Sequence, residues 1–220
     1  MERWLNKIIL GDCLDVMREM PDKCVDLVLT DPQYGIDEAN GKNHSRGCLA
    51  TTTKFDIKHW DNSRPDKIYF NEIKRISRNQ IIWGGNYFCS DLGDTSCFLV
   101  WDKDNGKTDF ADCELAWCSF TSAVRLFKYK WQGMLQENMR EKERRVHPTQ
   151  KPVALFEWIL NKYSNPDDII LDPFLGSGTT IAACINTGRN NWIGIEKEPD
   201  YCVLAEDRIK RATQQLRMFT

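Results

Sequence analysis

Val25-Asp26-Leu27-Val28-Leu29-Thr30-Asp31-Pro32-Gln33-Tyr34-Gly35-Ile36 is the stretch on which the fold turns. Val25, Leu27, Val28 and Leu29 make a short, nearly continuous apolar run, the pattern of a strand buried on both faces of a parallel sheet. The run stops at Thr30, and a carboxylate, a rigid proline and an aromatic ring follow where the strand opens into a loop. In open α/β sheets that carboxyl edge is where ligands bind. Taken alone, the segment reads equally as a strand followed by an ordinary Asp-Pro turn, so the rest of the chain has to decide.

The tetrad Asp31-Pro32-Gln33-Tyr34 suits one kind of chemistry. Pro32 lacks an N–H but keeps a free carbonyl acceptor, and Asp31 accepts through its side chain. Together they can hold both hydrogens of an exocyclic amino group and turn its lone pair toward an electrophile. Tyr34 offers a flat face for stacking a planar ring.

Outward from this stretch, strands alternate with helices, which predicts α/β architecture with a mainly parallel sheet. Lys7 to Leu10 reads as a first strand, ending at Gly11-Asp12, and Asp15 to Met20 as a short helix. Asp66 to Ile76 has helical apolar spacing. Gln80 to Trp83 and Phe98 to Trp101 are strands, and Cys113 to Phe120 with Ala123 to Tyr129 reads as an antiparallel hairpin around Thr121-Ser122. A helix over Val153–Tyr163, a strand over Asp168–Leu171, a helix to about Thr187, a strand over Asn191–Ile195 and a last helix from about Pro199 to Leu216 complete the chain. Residues 37–65 lack periodicity and directly follow the tetrad, the place of a lid or DNA-contacting insertion. Residues 130–146 form a polar, basic connection with some helical character.

Composition sets the bounds. The 220 residues, 28% charged and 41% hydrophobic, suffice for one globular domain with a sizeable core. No apolar run spans a membrane, and no signal-like segment follows Met1-Glu2-Arg3-Trp4. The nine cysteines are irregularly spaced without a Cys-x-x-Cys pair, so reduced thiols, no metal site and a cytoplasmic location are expected. The net charge of −2 is not that of a generally basic nucleic-acid binder. Charge is uneven, however: eight Lys/Arg face three Glu between Arg125 and Lys151, a patch able to hold phosphates.

A second site lies in the C-terminal third. Leu171 to Thr180 is a glycine loop between a strand and a helix, with Gly176 and Gly178 permitting close backbone approach. Glu196 follows Gly176 by 20 residues, the distance at which an acid takes ribose hydroxyls in nucleotide-binding βαβ units. No Gly-x-x-x-x-Gly-Lys occurs, and the full Gly-x-Gly-x-x-Gly fingerprint is missing. Asp172 stands where a cationic amino group can pair with it, so a nucleoside bearing an amino acid fits better than a pyrophosphate.

Asp31-Pro32-Gln33-Tyr34 resembles the Asp-Pro-Pro-Tyr motif of DNA amino-methyltransferases, which methylate adenine N6 or cytosine N4 with S-adenosylmethionine. Gln33 departs from that motif, removing rigidity but none of the acceptors. Asp172-Pro173-Phe174-x-Gly176-x-Gly178 resembles the family's cofactor motif, and His147-Pro148-Thr149-Gln150-Lys151-Pro152 the segment preceding it in the β-group, where the catalytic half comes first. The resemblance covers about Ile8 to Ile209 and is vague only over 37–65 and 130–146.

The resemblance implies a single Rossmann-like methyltransferase domain over 1–220, with a catalytic half of about 7–129 and a cofactor half of about 147–217. It implies S-adenosylmethionine as cofactor, held by Asp12, Asp31, Thr149, Lys151, Asp172, Phe174, Gly176, Gly178 and Glu196. Asp12 would contact the adenine, and Thr149 and Lys151 the methionine carboxylate. Asp31, Pro32 and Tyr34 would be catalytic on a base flipped from double-stranded DNA, in the setting of restriction–modification, with no metal. Asp rather than Ser at position 31 favours adenine N6 over cytosine N4 among family members. Gln33 and the modest basicity motivate a rival of another class, an inactive DNA- or partner-binding module. The two vague segments are too short for a large recognition domain, which leaves room for a short target sequence or a homodimer.

Overall fold

The run from Val25 folds into strand β2 (Val25–Thr30), with every residue but Asp26 buried. In the computed structural model, residues 1–36, 64–106, 111–132, 135–140, 142–143 and 150–219 are described. Among them β2 lies inside an eight-stranded sheet with β1 (Lys7–Leu10), β3 (Ser77–Trp83), β4 (Cys97–Asp102), β5 (Cys113–Cys118), β6 (Arg125–Lys128), β9 (Ile170–Asp172) and β10 (Trp192–Glu196). The order is β1-β10-β9-β2-β3-β5-β4-β6. Every pair from β1 to β3 is parallel, and two-sided burial explains the continuous apolar run of β2. Two very short strands, β7 (Trp131–Gln132) and β8 (Leu135–Gln136), pair antiparallel apart from this sheet. They fall in the connection read from sequence as partly helical.

The hairpin expected at Thr121-Ser122 is paired differently. β5 uses both of its edges: Cys118 lies opposite Ile81 of β3 on one side and Cys97 of β4 on the other, antiparallel in each case. No edge remains for β6, which crosses to the far side of β4 and runs parallel to it, Leu99 opposite Arg125. Apolar alternation marks a strand but carries no information on its partner.

Helices cover both faces. α1 (Cys13–Arg18) and α2 (Lys67–Ile76) bury Met17, Phe70, Ile73 and Ile76 against Val25, Val28, Ile82, Ile193 and Ile195. α4 (Val153–Tyr163) and α5 (Thr179–Asn186) bury Leu155, Phe156, Ile159, Leu160, Ala183 and Cys184 against Leu27, Leu29, Ile81 and Trp83. From Leu27 to Leu29 successive residues of β2 feed the two cores in turn, as the period-two geometry of a strand demands, while Val25 at the strand's start joins the core of Val28. The short α3 (Cys89–Leu92) follows β3, and α6 (Pro199–Phe219) lays Ala205 against Leu175 and Ile181. No helix among the described residues is long and apolar enough to cross a membrane.

β2 and β9 are neighbours, yet the chain leaves β2 toward β3 and leaves β9 toward β10. The connections diverge between them, so the carboxyl ends of these two strands border an open crevice, the place where doubly wound sheets bind ligands.

Candidate active site

The carboxyl ends of β1, β2, β9 and β10 border one cavity of about 280 Å³, lined by Asp12, Asp31, Gln33, Tyr69, Lys151, Asp172, Phe174, Gly176, Glu196 and Glu198 among others. Gly176 and Gly178 have φ of +51° and +80°, which turns the chain sharply from β9 into α5. A Cβ on Gly178 would stand 3.0 Å from the Cβ of Ala205, so this glycine also lets α6 close on the loop.

Asp172, at the end of β9, is almost fully buried. Its Oδ1 accepts from Thr30 Oγ1 at 2.7 Å and the Phe174 N–H at 3.1 Å, and its Oδ2 accepts from Thr180 Oγ1 at 2.5 Å. Burial nevertheless pushes its pKa up to about 6, because hydroxyls offset the desolvation of a carboxylate only in part. Glu196 accepts from the N–H groups of Gly176 at 2.7 Å and Glu198 at 2.8 Å, and burial raises its pKa too. Asp12 caps α1 through the Leu14 N–H at 2.8 Å and accepts from the Tyr69 hydroxyl at 3.2 Å. Tyr69 in turn lies beside Phe174, ring centroids 6.1 Å apart. A cavity with this many carboxylates, two aromatic rings and hydroxyl donors complements a cationic, amino-acid-bearing nucleoside and repels phosphates.

Asp31 stands one residue past β2. Its Oδ1 accepts from the Tyr34 hydroxyl at 2.6 Å, and its Oδ2 pairs with Lys151 Nζ at 2.5 Å. The same ammonium lies 3.0 Å from Glu114 Oε2 and donates to the Tyr34 hydroxyl at 3.0 Å. Glu114 Oε1 holds Lys103 Nζ at 2.5 Å. Burial raises Asp31 above the ordinary carboxylate range, with Lys151 opposing and Glu114 reinforcing the shift. Burial works against Glu114 too, but Lys151 and Lys103 outweigh it and hold that acid down at about 2. For Lys151, burial is outweighed by the two carboxylates, which keep it charged.

Pro32 is buried and Gln33 half-buried against the cavity. The Tyr34 ring stacks on Tyr87 with centroids 4.8 Å apart and planes at 17°, and meets the edge of Phe88. Gly84 has φ +70°, and a Cβ there would fall 2.1 Å from Cε1 of Tyr34, so the turn after β3 is shaped to this ring.

The structure therefore brings Asp12, Asp31, Lys151, Asp172, Phe174, Gly176 and Glu196 to one cavity. Lys151 lines it, but its ammonium turns to Asp31 and Glu114. Thr149 lies outside the described residues. Sequence reasoning missed Lys103, Glu114, Thr30, Tyr69 and Tyr87. Only Glu114 left a trace, a carboxylate within an otherwise apolar strand.

Fold and site together define an α/β protein in which a buried-strand carboxylate, Asp31, shares one carboxylate-rich cavity with Asp172 and Glu196. The family model for N6/N4 methyltransferases, described as DNA methylase, matches residues 116–207. The type II methyltransferase M.HinfI of Haemophilus influenzae is 30% identical over 94% of this chain and 69% of its own length. The crystal structure of the M1.HpyAVI–SAM complex superposes with a TM-score of 0.58 at 26% identity, covering 92% of this chain and 98% of that one. The cytosine-N4-specific PvuII DNA methyltransferase, at 15% identity and a TM-score of 0.59 over 94% of this chain and 90% of its own, shares the fold. The chain belongs to the N6/N4 DNA methylase family, the S-adenosylmethionine-dependent amino-methyltransferases.

Proposed function

We propose that the protein methylates adenine N6 at a specific sequence of double-stranded DNA, on a base flipped out of the duplex. One observation carries the reading: Asp31 lines the same cavity as Asp172, Gly176 and Glu196, so an amino group presented to Asp31 faces the cofactor site without any rearrangement of the sheet.

The residues fit the cofactor. Glu196 keeps lone pairs for ribose hydroxyls beyond its two backbone donors, Asp172 suits the ammonium of the methionine moiety, and Asp12, Tyr69 and Phe174 border the base. When bound, S-adenosylmethionine supplies an electrophilic methyl group on a cationic sulfur. Asp31 and the Pro32 carbonyl hold the two amino hydrogens and aim the nitrogen lone pair, so positioning supplies most of the catalysis. The Asp31 carboxylate, next to that nitrogen, would stabilise the positive charge it gains on accepting the methyl group and would take its surplus proton. The raised pKa of Asp31 matches that task. Flipping the base costs a few kcal/mol, and the exposed Arg125 and Lys128 of β6 offer cations for the backbone phosphates.

Adenine is preferred to cytosine because Asp31 stands where family members that lean to cytosine N4 carry Ser. Single-molecule sequencing of DNA from cells expressing the chain tests the reading. N6-methyladenine in one short motif is the expected result. N4-methylcytosine would replace the base assignment, and unmodified DNA from a protein that still binds adenosylhomocysteine would overturn the DNA assignment.

A further inference from the structure

We infer that Glu114, anchored by Lys103, is a positioning residue that holds the Lys151 ammonium in place while Asp31 exchanges its ion pair for the substrate amino group. The inference rests on the reading of Asp31 as the group that receives the amine.

In the structure both Asp31 oxygens are engaged, Oδ1 by Tyr34 and Oδ2 by Lys151. A short charge-assisted pair is a strong competitor for a neutral amine. Without a second carboxylate, drawing Asp31 toward a substrate would strand a buried ammonium, and Lys151 is only 4% exposed. Unpaired buried charges cost several kcal/mol. Glu114 removes that obstacle because it already holds the same ammonium at 3.0 Å. Lys103, gripping Glu114 at its other oxygen at 2.5 Å, fixes the carboxylate and balances its charge. Two acids and two cations then form a closed, neutral set in which Lys151 has two alternative partners. The Lys151 ammonium also faces the rings of Tyr34 and Trp83 at 5.4 and 5.5 Å, which keep it centred as the partner changes.

The arrangement makes an electrostatic prediction with opposite signs. The groups facing Asp31 are Lys151, Glu114 and Tyr34, with Asp172 and Lys103 behind them. Glu114→Gln removes a negative charge and leaves Lys151 to Asp31 alone, so Asp31 should titrate at lower pH. Lys103→Met leaves Glu114 with one cation instead of two. Glu114 then draws Lys151 from Asp31, which should titrate at higher pH.

The test is the carboxyl-carbon titration of Asp31 by NMR in the full-length protein with adenosylhomocysteine bound, which requires no knowledge of the methyl acceptor. The expected result is a midpoint that falls in Glu114→Gln and rises in Lys103→Met, with adenosylhomocysteine affinity within about threefold of wild type in both. On DNA, the acid limb of kcat/KM should move the same way, and turnover of Glu114→Gln should fall about tenfold or more. Midpoints unmoved in both variants, or moved in the same direction, would overturn the inference. Should Glu114→Gln fail to fold, Lys103→Met decides alone: a midpoint that does not rise refutes it. Absence of methylation by the wild-type protein on any DNA would instead strike the substrate assignment.

Discussion

Thr30 donates through Oγ1 to Asp172 Oδ1 at 2.7 Å, joining the last residue of β2 to the last residue of β9. This bond ties the strand that leads into Asp31 to the strand that ends in Asp172, the carboxylate proposed to meet the cofactor's ammonium. Both partners are buried, so water cannot replace it. Thr30→Val keeps the shape and removes the donor, leaving that oxygen with the Phe174 N–H. Denaturant unfolding should show a loss of about 1–3 kcal/mol. Undiminished stability would show that the bond contributes nothing net.

Asp31→Ala separates the two halves of the site. It should abolish methyl transfer while leaving adenosylhomocysteine affinity within about tenfold, roughly 1.4 kcal/mol. The Lys151 ammonium keeps Glu114 as a partner, so the pocket need not collapse. Asp172→Ala should weaken the cofactor itself. Wild-type turnover in Asp31→Ala, measured with tritiated methyl donor, would remove Asp31 from the mechanism.

How much of this was legible in the chain follows from where each residue sits. Asp31, Asp172 and Glu196 each end an apolar run and open a loop, a position that sequence pattern exposes. Lys103, one residue past β4, and Glu114 of β5 reach the same centre because those two strands pair antiparallel, Asp102 opposite Cys113 at their ends. The expected hairpin gave β5 the partner β6 and assigned it none in β4, so nothing in that reading set Glu114 beside Lys103. Thr30 was legible as a strand end but not as a donor, since its partner lies 142 positions away.

Cofactor affinity should depend on pH through Asp172. Its folded pKa is raised from an ordinary 3.8 to about 6. The protonated carboxyl is thus favoured by folding: its contribution to stability is fully present below the unfolded value and is lost as pH rises through about 6. Binding a cationic ligand runs the other way, because the ammonium needs the ionised form. Adenosylhomocysteine affinity should therefore fall as pH drops from 7 to 5, approaching about tenfold per pH unit below the folded pKa. Asp172→Asn should bind weakly and lose most of this dependence. Calorimetry across that range checks both, and a flat wild-type profile would exclude Asp172 as the ammonium's partner.

Gly84 tests whether the Tyr34 ring must sit where it does. At φ +70° any L side chain is strained, by roughly 1 kcal/mol. Gly188, at φ +71°, carries the same backbone penalty with no atom within 4 Å of an added Cβ. Gly188→Ala should thus lose only about 1 kcal/mol of stability and keep its turnover. In Gly84→Ala the new methyl group would overlap the Tyr34 ring, only 2.1 Å from Cε1. The stack on Tyr87 and the hydroxyl's bond to Asp31 hold that ring in place, so one of them must give. Displacing the ring by about 1 Å should lower turnover on the order of a hundredfold while cofactor affinity stays near wild type. Comparing kcat for the two alanine variants isolates the ring from the backbone strain. Equal turnover in both would mean that the position of Tyr34 does not matter to the reaction.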